Sequence, residues 1–354
     1  MRSLRLALIA SARYPIVQPF AGGMEAHTWS LASELRNRGH SVEVFAGAGS
    51  DPALGVTELG DPPLRMSAAA VTDSSMLPRR WVEEHHAYLA LMMRLAEPLH
   101  GFDVVHNNSL HYLPIAMAQT LSTPLVTTLH TPPTPWMESA IQASGNCSVT
   151  FAAVSAFTAA AWRHLVPNSR IVHNGVNIDR WIPGPGGGPV VWAGRLVPEK
   201  GVPLAIRAAR ESGHPLRVAG PIVDPDYFDA EVRPLLTDDI DYVGHLDNTD
   251  LATLFGEASA TLVTPCWDEP YGLVVAESLA CGTPVCGFAR GALPELVTED
   301  CARLVDSGDV SALARAIGET TILSRTKARE HAVSTCSHIA MVDGYEQMYT
   351  ELAA

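Results

Sequence analysis

The sequence predicts an α/β protein made of two units, each a parallel β-sheet covered by helices. Short apolar runs alternate with helical patterns along all 354 residues, as expected for parallel strands joined by crossover helices. The alternation breaks once, at Pro183-Gly184-Pro185-Gly186-Gly187-Gly188-Pro189, and then restarts. The two sides of the break also differ in charge. Residues 1–182 hold 12 Arg against 13 Asp plus Glu, whereas residues 183–354 hold 12 Lys plus Arg against 25 Asp plus Glu. The expected units are residues 1–182 and 190–339, joined by a linker at 183–189. A helix in residues 340–354 is expected to cross back onto the first unit. A chain of this length suits two domains.

Each element has its own signal. Leu4–Ala10 is an apolar run of strand length. A loop leads to Gly22-Gly23, and a helix follows from about Met24 to Arg38, stopped by Gly39 after Arg36 and Arg38. Further strands are expected at Ser41–Phe45, Val104–His106, Leu125–Leu129, Thr150–Val154 and Ile171–His173. The Pro/Gly segment resembles a phosphate loop by composition, but no strand feeds it and no helix follows, so it reads as a linker. Beyond it, strands are expected at Val190–Ala193, Leu216–Ala219, Asp241–Val243, Ala260–Val263 and Pro284–Gly287. Helices are expected at Val202–Glu211, Asp250–Glu257, Gly272–Ala280, Ser311–Thr320 and Ala340–Leu352.

Composition excludes several classes. A net charge of −14 argues against nucleic acid as a partner, because phosphate-backbone binding needs a basic footprint. The six cysteines, Cys147, Cys266, Cys281, Cys286, Cys301 and Cys336, form no C-x-x-C, so they read as reduced buried thiols rather than zinc ligands. Arg2 and Arg5 before Leu6–Ala10 mimic a leader, but the apolar run is short and reads better as a first strand. Asn107-Asn108-Ser109 and Asn146-Cys147-Ser148 are sequons by spelling only. Val82–Leu99 is apolar with mixed charge and reads as a core or surface helix rather than an anchor. The expected location is the cytoplasm, with the inner membrane face as the alternative contact.

The most informative stretch is Glu269-Pro270-Tyr271-Gly272-Leu273-Val274-Val275-Ala276-Glu277. Two carboxylates bracket a Pro/Gly turn that opens a helix. The helix start offers free N–H groups at its positive end, which favours an anion such as a diphosphate. Carboxylates on either side accept hydrogen bonds from vicinal hydroxyls. A nucleotide sugar, with a central diphosphate and hydroxyl-rich ends, fits that pattern. Gly194-Arg195-Leu196-Val197-Pro198-Glu199-Lys200-Gly201 supplies two cations after a strand in an otherwise acidic half. Lys200 is one of only two lysines, the other being Lys327. Asp224-Pro225-Asp226 spells D-x-D, a metal-binding pattern, but its Pro-rich setting reads as a turn.

These segments resemble the retaining GT-B glycosyltransferases of family 4, which have two Rossmann-like doubly wound domains facing a central cleft. Glu269 to Glu277 is similar to the family's E-x7-E motif, and Gly194 to Gly201 to its G-R-L-x-x-x-K-G element. Asn174-Gly175-Val176-Asn177 and Gly22-Gly23-Met24-Glu25 are similar to two further family segments, and the order agrees over nearly the whole chain. The resemblance implies that Arg195 and Lys200 neutralise the donor diphosphate and that Gly272, Leu273 and Val274 donate backbone N–H groups. It implies that Glu277 holds ribose hydroxyls, that Glu269 faces the donor sugar near the reacting carbon, and that Leu246 packs on the base. It implies that His130, at the end of an apolar strand, contacts the sugar near its anomeric carbon. Gly22 and Gly23 would let the backbone approach the diphosphate or acceptor closely. Ser155 and Phe157 fit a family pattern and are assigned to packing. Gly291-Ala292 departs from the family's two glycines.

The implied reaction is transfer of a hexose-type unit from a nucleotide diphosphate sugar, UDP-linked by default, to an acceptor hydroxyl with retention. No metal and no cofactor are expected, since Arg195, Lys200 and the helix start can stabilise the departing diphosphate. The rival readings are a nucleotide-sugar epimerase on the same scaffold and a non-catalytic nucleotide-sugar-binding homologue. The acceptor alcohol, whether natural product, glycan or lipid-linked, is not legible in the sequence.

Overall fold

The computed structural model describes residues 2–98, 101–145 and 149–354. Cys147, the Asn146-Cys147-Ser148 triplet and the end of the Val82–Leu99 segment therefore lie outside the described residues. The chain forms two parallel sheets. The first has seven strands: β1 (Arg5–Ile9), β2 (Ser41–Ala46), β3 (Val56–Glu58), β4 (Val104–Asn107), β5 (Leu125–Leu129), β6 (Val149–Ala153) and β7 (Arg170–Ile171), in the order β3-β2-β1-β4-β5-β6-β7. The second has six: β8 (Val190–Ala193), β9 (Leu216–Ala219), β10 (Ile240–Gly244), β11 (Thr261–Val263), β12 (Val285–Phe288) and β13 (Ala302–Val305), in the order β10-β9-β8-β11-β12-β13.

The two sheets share one topology at the place that matters. In each, the opening strand lies between the second strand of its lobe and a later one, so the winding direction reverses beside it. Helices that leave on opposite faces open a crevice at the carboxyl end of that strand. The Gly22-Gly23 loop follows β1, and the Gly194–Gly201 segment follows β8. Both motifs are thus delivered to crevices by topology. The strands are buried on both faces, which is why they read as continuous apolar runs: Leu6, Ala7, Leu8 and Ile9 are all buried, as are Val190, Val191 and Trp192.

Helix Gly23–Asn37 begins one residue earlier than the sequence suggests, because Gly22 serves as its N-cap without a side chain. Two edge strands carried no clear signal: β3 has three residues and β13 four. Helix Arg79–Leu95 holds the apolar part of the Val82–Leu99 segment and buries Tyr88, Leu91, Met92 and Leu95. The Pro/Gly linker is tied down rather than free: Gly186 and Gly188 donate to the carbonyls of Gly256 and Glu257, each at 2.9 Å.

The C-terminal helix, His338–Leu352, packs on the first sheet. Met341, Val342, Tyr345, Met348 and Tyr349 recur at helical spacing and join the core of Leu6, Leu8, Leu31 and Leu35. A polar anchor fixes its register. Glu346 accepts from Arg38 Nη1 at 2.6 Å through one oxygen and lies 3.0 Å from His40 Nε2 through the other. Burial alone would raise the Glu346 carboxyl. The hydrogen bonds and charge of Arg38 and His40 outweigh it and hold the group below its ordinary value of 4.5.

A lowered carboxyl pKa adds stability above pH 4.5 that is lost as pH falls through the folded value. Glu346→Gln should therefore destabilise the fold by about 3 kcal/mol at pH 7, with the deficit shrinking below about pH 4.5. Urea unfolding at both pH values measures it; a deficit that does not depend on pH would rule out the charge-based account.

Candidate active site

The site is a cleft of about 450 Å³ between the two lobes. That volume suits a nucleotide-sized ligand. Its floor on the second lobe is made by strand ends. β8 runs into Gly194 with φ +158° and β9 into Gly220 with φ +137°. A Cβ on Gly220 would collide with the Gly194 carbonyl, so only glycine lets these two ends lie side by side. No local feature of the sequence marks Gly220 for this role.

Arg195 and Lys200 follow directly. Arg195 is a third exposed and lies 3.8 Å from Glu199, a loose pair that leaves the guanidinium available to a ligand. Lys200 sits in the short turn Pro198–Lys200, closed by Gly201 at φ +67°. Thr264 Oγ1 donates to the Gly201 carbonyl at 3.0 Å, and Cys266 N donates to the Glu199 carbonyl at 2.8 Å. The turn is thus pinned to the segment that leads into the Glu269 motif.

That pinning brings the two motifs into direct contact. Lys200 Nζ lies 2.6 Å from Glu269 Oε2. Trp267 Nε1 donates to the same oxygen at 3.0 Å, and the ammonium sits 5.5 Å from the Trp267 ring centroid. Oε1 of Glu269 has no partner among the described residues. The resemblance implies Lys200 at the diphosphate and Glu269 at the adjoining sugar; here the two side chains are hydrogen-bonded to each other. Ala292 N donates to the Glu269 carbonyl at 2.8 Å, and Gly291 has φ +62° with no room for a Cβ against the Glu269 backbone. The Gly291-Ala292 loop therefore fixes Glu269 in spite of its departure from two glycines, since Ala292 adopts an ordinary right-handed conformation.

Gly272 has φ +103° and caps helix Leu273–Ala280 with no side-chain acceptor for its first N–H groups. Gly272, Leu273 and Val274 line the cleft, with the helix's positive end directed into it. Glu277 lies one turn further. Its carboxyl has no hydrogen-bond partner among the described residues, and loss of surrounding water pushes it up to about 7. Leu246 does two jobs: it packs against the second-lobe core and lines the cleft.

The first lobe supplies Gly22, Gly23 and His130. A Cβ on Gly23 would sit 3.1 Å from Leu273 Cδ1, so the two lobes approach closely there. His245 Nε2 lies 3.2 Å from the Phe20 carbonyl and bridges the same gap. His130 is buried and packs edge-on to His27 at 4.8 Å. Burial, then the proximity of His27 and His106, holds its pKa well below 6.5, so it is neutral at pH 7. Its Nε2 lies 3.0 Å from Asn108 Oδ1, which assigns the proton to Nε2 and leaves Nδ1 an acceptor. Neither Asn108 nor His27 was foreseen.

A second joint between the lobes was read only as packing. Ser155 Oγ donates to the Pro270 carbonyl at 2.6 Å, and Glu295 accepts from the N–H groups of Ala156 and Phe157 at 2.9 and 3.1 Å. The backbone just before Gly272 is therefore held by the opposite lobe. Asp224 caps a helical turn by accepting from Tyr227 N, which accounts for Asp224-Pro225-Asp226. Among the described residues, no group of three His, Cys, Asp or Glu side chains is placed to hold a metal ion. No helix among them is long and apolar enough to cross a membrane.

Comparison with known proteins agrees with this architecture. Residues 21–180 match Glycosyltransferase Family 4, and residues 187–334 match Glycosyl transferases group 1. The chain belongs to the group 1 glycosyltransferases. It is 28% identical over 335 residues to a glycogen synthase of Mycobacterium tuberculosis, covering 82% of this chain and 79% of that one. Its fold is that of the GT-B glycosyltransferases. Sucrose-phosphate synthase from Thermosynechococcus elongatus superposes with a TM-score of 0.78 at 21% identity, covering 99% of both chains. The Anabaena HepE protein, in complex with UDP and glucose, superposes with a TM-score of 0.77 at 16% identity, covering 99% of this chain and 100% of that one.

The raised Glu277 pKa sets a stability prediction. Its folded value of about 7 exceeds the ordinary 4.5, so ionisation costs folding energy as pH rises between them. Without ligand, Glu277→Gln should stabilise the protein at pH 8 by up to about 3 kcal/mol, and the gain should vanish below about pH 4.5. Urea melts of both proteins across that range measure it, and an equal gain at every pH would contradict burial as the cause.

Proposed function

We propose that this glycosyltransferase moves a hexose-type unit from a UDP-sugar to an acceptor hydroxyl, with retention and without a metal. The observation that carries the reading is the arrangement around one helix start. A lysine–glutamate pair sits beside uncapped N–H groups, with an unpartnered carboxyl one turn further along. A diphosphate at the helix start gives Lys200 a second anion, and Glu269 turns its freed oxygen to the sugar hydroxyls. Glu277 takes the ribose hydroxyls, and Leu246 packs on the base. The HepE complex with UDP and glucose supports UDP as the carrier.

The chemistry follows from charge. The bond from the anomeric carbon to the β-phosphate oxygen breaks, and the acceptor oxygen bonds to the same face of that carbon. The acceptor proton passes to the departing phosphate oxygen, so no protein nucleophile is required. Negative charge grows on the diphosphate, where Arg195, Lys200 and the helix N–H groups lie ready. His130, neutral and fixed by Asn108, serves as a hydrogen-bond partner of the sugar rather than as a cation. The interlobe contacts keep water from the reacting carbon.

Two outcomes test this. Lys200→Ala should weaken UDP-sugar binding at least tenfold, about 1.4 kcal/mol, and lower kcat by about a hundredfold or more. Calorimetry and a transfer assay measure these; wild-type values for both would refute the diphosphate assignment. Glu277 must be ionised to accept from two hydroxyls. With a pKa of about 7, donor affinity should be about tenfold weaker at pH 6 than at pH 8. Glu277→Gln should flatten that dependence, and a variant with the same pH slope as wild type would remove Glu277 from the ribose site.

A further inference from the structure

The donor assignment leaves a row of buried polar side chains behind His130 without a role. The pleat of the first sheet collects them. His106 and Asn108 are two positions apart at the end of β4, and Thr128 and His130 are two apart at the end of the neighbouring β5, so each pair points to a single face. The C-terminal helix packs on that face. Its Tyr345 and Tyr349 stand four residues apart and share one side of the helix. All six side chains are buried.

Hydrogen bonds join them from the helix to the cleft. Tyr349 Oη lies 2.6 Å from His106 Nδ1. Asn108 turns its amide nitrogen to the same Nδ1 at 3.4 Å and its carbonyl oxygen to His130 Nε2 at 3.0 Å. An amide NH2 only donates, so Nδ1 of His106 carries no proton and the Tyr349 hydroxyl donates to it. The His106 proton then sits on Nε2, which donates to Thr128 Oγ1 at 2.8 Å. Thr128 in turn meets Tyr345 Oη at 3.1 Å. Burial, then the proximity of His27, holds His106 well below 6.5, so its ring is neutral at pH 7 and Nδ1 stays an acceptor.

This arrangement governs the Asn108 amide. Turned over, its oxygen would face the bare His106 Nδ1, acceptor against acceptor, and its nitrogen would face the His130 proton. As it stands, the oxygen is offered to His130 and draws the proton to Nε2. Nδ1 of His130 is left bare; it has no partner among the described residues, and His130 lines the cleft. His27 packs against His130 and lies near Asn108 and Asn174. Neither of its ring nitrogens meets hydrogen-bond geometry with a partner among the described residues, so it offers no competing hold on the His130 proton.

We propose that Tyr349 is a positioning residue for the transfer reaction: through His106 and Asn108, its hydroxyl keeps the His130 proton on Nε2 and presents a bare Nδ1 to the hydroxyls of the donor sugar. The C-terminal helix thereby sets the hydrogen-bonding state of a cleft residue without touching the ligand. This rests on His130 meeting the donor sugar, as in the function proposed above.

The test joins a spectrum of the ligand-free protein to turnover. With isotope-labelled histidine nitrogens, NMR of the full chain separates protonated from bare ring nitrogens, and spectra of His130→Gln and His106→Gln assign the two rings. Wild-type protein should show both rings protonated at Nε2. Tyr349→Phe should leave His130 a mixture of the two tautomers. Tyr345→Phe, which removes an equally buried hydroxyl from the same helix, should leave the His130 tautomer as in wild type. In acceptor-free hydrolysis of UDP-glucose, Tyr349→Phe should lower kcat by about fivefold or more with KM within about twofold of wild type, whereas Tyr345→Phe should keep both within about twofold. A wild-type His130 proton on Nδ1 overturns the proposal, whatever the variants do. So does a wild-type tautomer in Tyr349→Phe, or a loss of turnover that both variants share equally. UDP titrated calorimetrically separates the two readings. No heat with UDP beside a tautomer change in Tyr349→Phe would sink the donor site and leave the hydrogen-bond chain standing; heat with UDP and no tautomer change would do the reverse.

Discussion

The contact between Lys200 and Glu269 organises this cleft. Each side chain is mostly removed from water, and neither is comfortable there alone. Together they form a neutral pair at the start of a helix whose first N–H groups lack a side-chain cap. Such a pair is poised rather than settled. An incoming anion competes for the lysine, and incoming hydroxyls compete for the glutamate. One ligand that carries both satisfies each partner separately and adds the helix N–H groups as donors. Glu277 shows the same logic from the other side. Its carboxyl is desolvated without compensation, so it costs stability until something donates hydrogen bonds to it.

Topology explains why these groups meet. Lys200 and Glu269 are 69 positions apart, but both loops leave the carboxyl ends of neighbouring strands, β8 and β11. The switch in winding beside β1 and β8 opens both lobes toward the same gap. Contacts across that gap then hold the backbone on both walls of the cleft. Ser155 grips the Pro270 carbonyl, Glu295 caps the first-lobe segment at Ala156, and Gly23 admits Leu273. The C-terminal helix belongs to this logic: by returning to the first sheet it passes the chain across the lobes twice.

Much of this was legible because local signals agreed with global ones. Strands buried on both faces read as plain apolar runs, and Leu125–Leu129, Val190–Ala193 and Leu216–Ala219 were delimited correctly. Edge strands β3 and β13 were not, because short half-exposed strands lack such runs. The second-lobe residues that line the cleft around Gly272 were legible locally, since a helix start after a Pro/Gly turn is a local event. What stayed hidden depends on distant partners. Nothing near Gly220 shows that its neighbour is the Gly194 carbonyl. Nothing near Asn108 points to His130, and Glu295 reads as an ordinary helix carboxylate until the opposite lobe is in place.

The account turns on where the diphosphate rests, and a crystal structure with an intact UDP-sugar bound measures that directly. The expected result has phosphate oxygens within hydrogen-bond distance of Lys200 Nζ and of the Leu273 or Val274 N–H, with the Lys200–Glu269 bond opened and Glu277 against the ribose. A sugar nucleotide lodged elsewhere, with that bond still closed, would contradict it.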